Sequence, residues 1–187
     1  PEREYVLPAS VVPGQTLTTG ATATGVDFVS ASNTVSMENR GTIDVSVVTD
    51  GASAKAFGVR VQDYENSWDV QAAPTDVFTL SNLGGTIRAR VSTNNGATYK
   101  HGLAIDTSGA SNKAVINLEA ANGVKGLVYG NIDISAADEI HVRNGETALD
   151  GVINPGGTAE GSLAIHSNAI LYLLNQPHAA VSTAGTP

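Results

Sequence analysis

The sequence predicts an all-β chain that winds as a β-solenoid, and three observations carry this prediction. A short phrase occurs twice, as NRGTIDVSVV from Asn39 to Val48 and as NLGGTIRARV from Asn82 to Val91. Hydrophobic side chains alternate with polar ones in both copies, which is the two-residue period of a half-buried strand. No 3.6-residue periodicity extends over the length of a helix. A phrase that repeats after about 20 to 50 residues is typical of solenoids, propellers and arrays.

The amino-acid composition limits which side chains can fill the core and which partners the chain can bind. Aromatic residues make up only 5% of the 187 residues, so β-branched and aliphatic side chains must fill the core. The formal net charge of −8 disfavours nucleic acid or an anionic membrane surface as the main partner. The chain has no cysteine, so its stability comes from packing rather than disulfides. It begins at Pro1 without an initiator methionine, which indicates a piece of a longer protein.

The repeat has a consistent interval of 44 residues. Ile43 matches Ile87, and Val47 matches Val91, at this distance. The alignment continues between GASAKAFGVRV (51–61) and GATYKHGLAI (96–105), where it places Gly58 against Gly102 and Val61 against Ile105. Because each 44-residue unit holds two sets of strands, we predict two coils of about 22 residues per unit. Stacked at about 4.8 Å, eight such coils form a rod of about 40 Å.

The later half keeps a similar spacing without the repeated phrase, since Ile132 and Ile153 are 21 residues apart. We predict that inward positions repeat because coils stack on like side chains, whereas outward positions such as Asp44 and Arg88 vary. The predicted organisation is an N-terminal coil or cap (1–34), a β-solenoid (35–174) with an inserted loop (62–76), and a tail or linker (175–187).

Several phrases resemble the passenger domains of Gram-negative autotransporters: MENRGTIDV, LSNLGGTI, GNIDISAADEIHVRNGETALDGVINPGG and GSLAIHSNAILYLLN. The resemblance covers about residues 35 to 174. It lies in the form of the repeat, Asn-x-Gly-Thr-Ile, rather than in a diagnostic signature. It implies a right-handed parallel β-helix that is exported to the bacterial cell surface. It also implies a C-terminal β-barrel translocator outside this chain. The phrase does not recur in the second half, which departs from the pattern.

A search for catalytic motifs favours a non-enzymatic chain. The segment DTSGAS (Asp106 to Ser111) lacks the surroundings of a hydrolase loop and indicates a turn. The four histidines of the chain are His101, His141, His166 and His178. None of them has metal-ligand spacing, and His141 is expected on the solvent face of a strand. We therefore expect no enzyme activity, no catalytic residue, no metal and no cofactor.

Cleavage of a glycan is the main enzymatic alternative, because it needs two carboxyl groups about 5 to 10 Å apart. Asp138 and Glu139 are adjacent, so in a strand they point to opposite sides. The sequence does not fix the relative positions of Asp44, Asp133 and Asp150, so it allows these three carboxylates to lie on one face.

The inserted loop is the predicted partner-binding segment. It contains the only tryptophan and several acidic side chains, and solenoid insertions often form the binding face. The candidate contact residues are Tyr64, Trp68, Asp63, Glu65 and Asp69. The alternative is that Trp68 caps the neighbouring strands and the acids only solvate the loop.

Three functions are consistent with these observations. The first is a cell-surface stalk, adhesin or assembly scaffold that binds a surface protein or glycan. The second is a carbohydrate-binding or carbohydrate-cleaving β-helix. The third is a subunit whose open end strands pair with another copy to form a filament.

Overall fold

The computed structural model describes residues 21–30, 34–50, 53–63, 77–156, 161–174 and 182–183. Within these residues the chain forms fifteen strands and no helix, which confirms the all-β prediction. The strands are β1 (Ala21–Ser30), β2 (Val35–Asn39), β3 (Thr42–Val48), β4 (Ala54–Asp63), β5 (Val77–Leu83), β6 (Thr86–Ser92), β7 (Lys100–His101), β8 (Leu103–Gly109), β9 (Lys113–Glu119), β10 (Gly126–Tyr129), β11 (Asn131–Asp133), β12 (Glu139–Asp150), β13 (Ser162–Ile165), β14 (Ala169–Leu174) and β15 (Ser182–Thr183).

The strands pair in three ladders, and every pairing within a ladder is parallel. The first ladder is β1-β4-β8-β11. The second is β2-β5-β9-β12-β13-β15, and the third is β3-β6-β10-β12-β14. The long strand β12 belongs to both, because its first half pairs with β9 and its second half with β10. The second and third ladders are therefore continuous. The short strand β7 pairs with β6 and is antiparallel to it.

The chain visits the ladders in a fixed order. The strands β1, β2 and β3 enter the first, second and third ladder in turn, and β4, β5 and β6 repeat this order. The strands β8, β9 and β10 do so again. Each ladder therefore grows by one strand as the chain passes all three.

The interval of 44 residues is confirmed for the repeated phrase. In the pairing of β3 with β6, Ile43 lies beside Ile87 and Val47 beside Val91. The downstream alignment is wrong, because Val59 rather than Val61 pairs with Ile105.

The glycine alignment fails for the same reason. A side chain on Gly102 would meet Ala56, and one on Gly58 would meet Ala104, so neither glycine lies against the other. Counted between paired positions, the chain takes two residues more from Ser92 to Leu103 than from Val48 to Phe57, and this longer path contains the turn 93–99. This extra length shifts the register of the copies.

The predicted spacing of 22 residues holds only in the second half. Gly126 pairs with Thr147, 21 positions on, and Glu139 with Ser162, 23 positions on. In the first half the paired strands are farther apart: β3 pairs with β6 at 44 residues, β2 with β5 at 43 and β1 with β4 at 33. The third ladder accordingly has five strands among the described residues, which at about 4.8 Å per step span about 20 Å rather than 40 Å.

The core is a column of aliphatic side chains between the ladders. Like residues stack in register, and each of these side chains is buried. The first ladder contributes Val59, Ile105 and Ile132; the second contributes Leu80, Ile116, Ile140 and Leu163; the third contributes Ile87, Val128 and Leu149. The inward and outward assignment is therefore confirmed at Ile87, and Arg88 beside it contacts Asp44 on the outer surface.

Candidate binding groove

The structure describes one of the five candidate contact residues of the predicted binding loop. Asp63 ends β4, and its carboxylate accepts the backbone N–H of Ser111 at 3.0 and 3.1 Å. This contact stabilises the turn between β8 and β9. The other four candidates lie outside the described residues: Tyr64, Glu65, Trp68 and Asp69.

Two adjoining cavities lie where β6 and β7 meet β4 and β8. Their volumes are about 380 and 350 Å³, within the usual range for small-ligand sites. Both are lined by Ala54, Lys55 and Val91, so we treat them as one groove, called the corner groove below. Arg60, His101 and Asp106 line its first part, and Lys100 its second.

The turn after β6 builds one wall of the corner groove. The Ser92 hydroxyl accepts the backbone N–H of Gly96 at 2.9 Å, and the Asn94 side chain accepts that of Thr98 at 2.9 Å. Asn95 and Gly96 have positive φ angles of 57° and 87°, which let the chain reverse direction within a few residues. The reversal returns Lys100 beside Val91 on β6.

Unpaired cations gather at this corner. Four Lys or Arg side chains outside it form ion pairs: Arg40 with Glu38, Arg88 with Asp44, Lys113 with Glu139, and Lys125 with Glu146. In contrast, Lys55, Arg60, Arg90 and Lys100 have no ion pair with any described residue. Arg143 has none either, but it lies outside the corner and donates to Asn117 at 2.6 Å. Three of these line the corner groove, and Arg90 pairs with His101 across the two strands beside it.

Aromatic rings hold two of these cations. The Arg60 guanidinium lies 4.8 Å from the centroid of Phe57, and that of Arg90 lies 5.0 Å from Tyr99. Such contacts orient a guanidinium without neutralising its charge. The Nε of Arg90 is buried without a hydrogen-bond partner. Tyr99 itself is 46% exposed, between two residues that line the groove.

Asp106 is the only carboxylate among the described residues that line the corner groove. One of its oxygens accepts the Ser108 hydroxyl at 2.7 Å and the Ser108 backbone N–H at 3.2 Å. This geometry is that of a local turn, as predicted for the segment DTSGAS. His101 lies 3.5 Å from a carboxylate oxygen of Asp150 and packs edge-on against Tyr129, which fixes its ring beside the groove.

A second polar cluster covers the outer face of the second ladder. Glu139 accepts hydrogen bonds from Lys113 at 2.6 Å and contacts His141 at 3.1 Å, and His141 lies 3.1 Å from a ring nitrogen of His166. His141 is therefore on the outer face, as predicted, although half-buried. The hydrogen bond from Lys113, and then that from His141, lower the pKa of Glu139 below its ordinary value of 4.5.

The remaining candidate carboxylates do not come together. Asp138 is buried and accepts the Thr107 hydroxyl at 2.7 Å and the Ala114 backbone N–H at 2.7 Å. Glu139 points to the outer side, so the expected opposition of these two residues is confirmed. Asp44 and Asp150 belong to the third ladder and Asp133 to the first, so the three share no single sheet face. In the described residues no group of three or more His, Asp or Glu side chains is arranged to hold a metal ion.

Sequence reasoning missed the corner groove, although the repeat contains a signal for it. In the aligned phrases GASAK and GATYK, both copies end in lysine, at Lys55 and Lys100. The alignment concerned core positions, and it could not show that β7 folds back to bring the two lysines to one groove.

The chain matches no protein-family model, no curated protein and no solved structure. Among the described residues, no helix has the length and apolar character that a membrane crossing requires. Any assignment of function therefore depends on the residues described above.

Proposed function

We propose that this chain is part of a non-enzymatic β-solenoid displayed on the surface of a Gram-negative bacterium, where it acts as a stalk, adhesin or assembly scaffold. The observation that carries the proposal is the stacking of like side chains in register along three parallel ladders that the chain visits in a fixed order. Repeated passage around one core is the behaviour of a solenoid. On this proposal the chain is a right-handed parallel β-helix.

The autotransporter resemblance supplies the location in this proposal. The phrases NRGTI and NLGGTI both form the corner between the second and third ladders, at β2–β3 and at β5–β6, and their asparagines are buried. A C-terminal β-barrel translocator outside these residues would then be the export partner.

A binding role is favoured over cleavage by the chemistry of the corner groove. Glycoside hydrolysis usually needs two carboxyl groups that flank the scissile bond, whereas the described groove residues include one, engaged by Ser108. Carbohydrate binding remains the second candidate function, because cations and an exposed tyrosine surround the groove.

Surface display is tested on intact cells of the source organism. An antiserum against this chain should label unpermeabilised cells, and external protease should remove the signal while a cytoplasmic marker persists. Labelling only after permeabilisation would contradict the proposed location. Circular dichroism of the purified chain should show a β spectrum, and a helical double minimum would contradict the solenoid itself.

Self-association is the third candidate, and the last strand of the third ladder favours it. β14 pairs with β12 on one side only within the described residues, and its Ile170 and Leu173 are half exposed. An open parallel strand can pair with another copy. Light scattering after size-exclusion chromatography should then show polymers that grow with concentration, whereas a single monomer peak would exclude this role.

A further inference from the structure

We infer that the corner groove binds an acidic oligosaccharide, a chain of sugars that carries carboxylate or sulfate groups. The inference rests on the proposed function only in placing this ligand outside the cell. The site itself is lined by Lys55, Arg60, Lys100 and His101, and Tyr99 lies between two lining residues, Thr98 and Lys100.

Charge is the first argument. The whole chain carries a formal net charge of −8, so a cluster of cations without ion pairs is unusual on its surface. Five Lys or Arg side chains have no ion pair with a described residue, and four of them lie at this corner. The fifth, Arg143, donates to the side chain of Asn117 at 2.6 Å, and elsewhere Lys113 and Lys125 have acidic partners. Clustered unpaired cations produce a local positive potential that attracts anions. The described lining supplies one carboxylate, that of Asp106, for these cations, so a ligand with further carboxylate or sulfate groups would neutralise the rest.

The shape and lining of the groove indicate a sugar chain rather than a single ion. Two cavities of about 380 and 350 Å³ run together, which suits an extended ligand of several rings. Both cavities are lined by the partly buried Ala54 and Val91 and by the exposed Lys55, and the exposed Lys100 lines the second. Tyr99 presents an exposed ring with a polar hydroxyl, and such amphipathic rings pack well against the apolar faces of sugars.

The same observations disfavour nucleic acid. A nucleic acid carries a phosphate on every nucleotide and needs a long row of cations, whereas this positive surface is one groove in an acidic chain. An acidic oligosaccharide has wider charge spacing, and its uncharged hydroxyl groups can bond to the carboxamide of Asn131 and the other polar groups of the lining.

The experiment is isothermal titration of the purified chain with four probes of equal length. These are oligogalacturonate hexamers, sulfated galactose hexamers, neutral galactose hexamers and a DNA hexanucleotide. We expect binding of at least one acidic hexamer, no binding of the neutral one, and affinity that falls as salt concentration rises. A carboxylated and a sulfated probe together distinguish the two sources of negative charge.

The variants isolate the groove. The double variant Lys55→Gln/Lys100→Gln removes two groove cations, and Arg40→Gln/Lys125→Gln removes two cations from elsewhere with the same change in net charge. We expect affinity for the acidic hexamer to fall about tenfold in the first and less than about twofold in the second. Thermal melting should be alike in both.

Equal weakening in the two double variants would overturn the inference, because binding would then follow net charge alone. It would also be overturned by failure of both acidic hexamers to bind, by equal binding of the neutral hexamer, or by DNA binding as tightly as the oligosaccharides. None of these results bears on surface display, which the antiserum experiment tests separately.

Discussion

The side-chain amide of Asn39 donates a hydrogen bond of 2.7 Å to Oδ1 of Asn82, its partner one strand along the second ladder. Asn82 donates onward to the carbonyl of Gly85 at 2.9 Å, and the backbone N–H of Gly41 donates to Oδ1 of Asn39 at 3.2 Å. Both asparagines are buried. The two copies of the phrase therefore contact each other in two ways: their asparagines join the corner between two ladders, and their aliphatic residues stack.

The first prediction is that Asn82→Ala destabilises the fold by about 2 to 3 kcal/mol, since the buried amide of Asn39 and the carbonyl of Gly85 each lose a partner. Chemical denaturation should measure this loss. Asn144→Ala is the control, because its side chain is exposed and its effect should stay within about 0.5 kcal/mol. Equal effects would mean that the buried asparagine pair contributes nothing.

The second prediction concerns two glycines at the same place in the repeated phrase. A Cβ on Gly85 would lie 2.5 Å from Nδ2 of Asn39 and 2.6 Å from Oδ1 of Asn82, whereas one on Gly41 would meet no described atom within 4 Å. Gly85→Ala should therefore lower the free energy of unfolding by about 1 to 3 kcal/mol. Gly41→Ala should be neutral or slightly stabilising. Thermal melts of both variants compare them directly.

The third prediction tests the inward and outward positions. Ile87→Asp places an unpaired carboxylate in the fully buried core and should prevent folding. Ile43→Asp should also destabilise severely, since Ile43 packs against this core from a half-buried position. Arg88→Asp should cost only about 0.5 to 1 kcal/mol, because it removes a surface pair with Asp44. Similar losses at Ile87 and Arg88 would contradict the assignment.

Sequence reasoning reached the strands and the core because alternation of hydrophobic residues is a local property. It placed Ile43 with Ile87 correctly, since both lie inside one short phrase. It misplaced Val61, because the pairing partner of β4 depends on the length of an intervening turn that alternation does not reveal. The corner groove depends on the reversal into β7, so the sequence alone could not bring Lys55 and Lys100 together.

The fourth prediction is a pH dependence that arises from Glu139. Its pKa is lowered in the folded chain, first by the hydrogen bond from Lys113. A lowered folded pKa contributes stability that is complete above the unfolded value, near 4.5, and is lost as pH falls through the folded pKa. Because Glu139 is partly exposed, the contribution should be below about 1 kcal/mol.

Melting temperatures measured from about pH 7 to about pH 3 should show this effect. Glu139→Gln should be less stable than the parent chain at neutral pH, and the difference should shrink in acid. Lys113→Gln should produce the same pattern, because it removes the main cause of the lowered pKa. If the melting temperature of Lys113→Gln fell in acid as much as that of the parent chain, the ion pair would not be the cause of the pH dependence.

The last prediction concerns the inserted loop, whose proposed boundaries the structure shortens. Gln62 donates to the carboxylate of Asp27 at 3.1 and 3.2 Å, and Asp63 accepts the backbone N–H of Ser111. Both residues belong to β4 and support neighbouring strands. Replacing 62–76 would therefore damage the ladder, whereas replacing 64–76 with a short Gly-Ser linker should spare it.

We expect the shorter replacement to leave the β spectrum and the melting temperature nearly unchanged. If Tyr64 and Trp68 form the contact to a surface partner, this variant should lose binding to that partner. If the corner groove binds independently of this loop, the variant should keep its affinity for acidic oligosaccharides. A matched variant that keeps the loop but carries Trp68→Ala separates the side chain from the loop length. Unfolding of the 64–76 variant would instead show that Trp68 stabilises the adjoining strands, and the loop would then have a structural role.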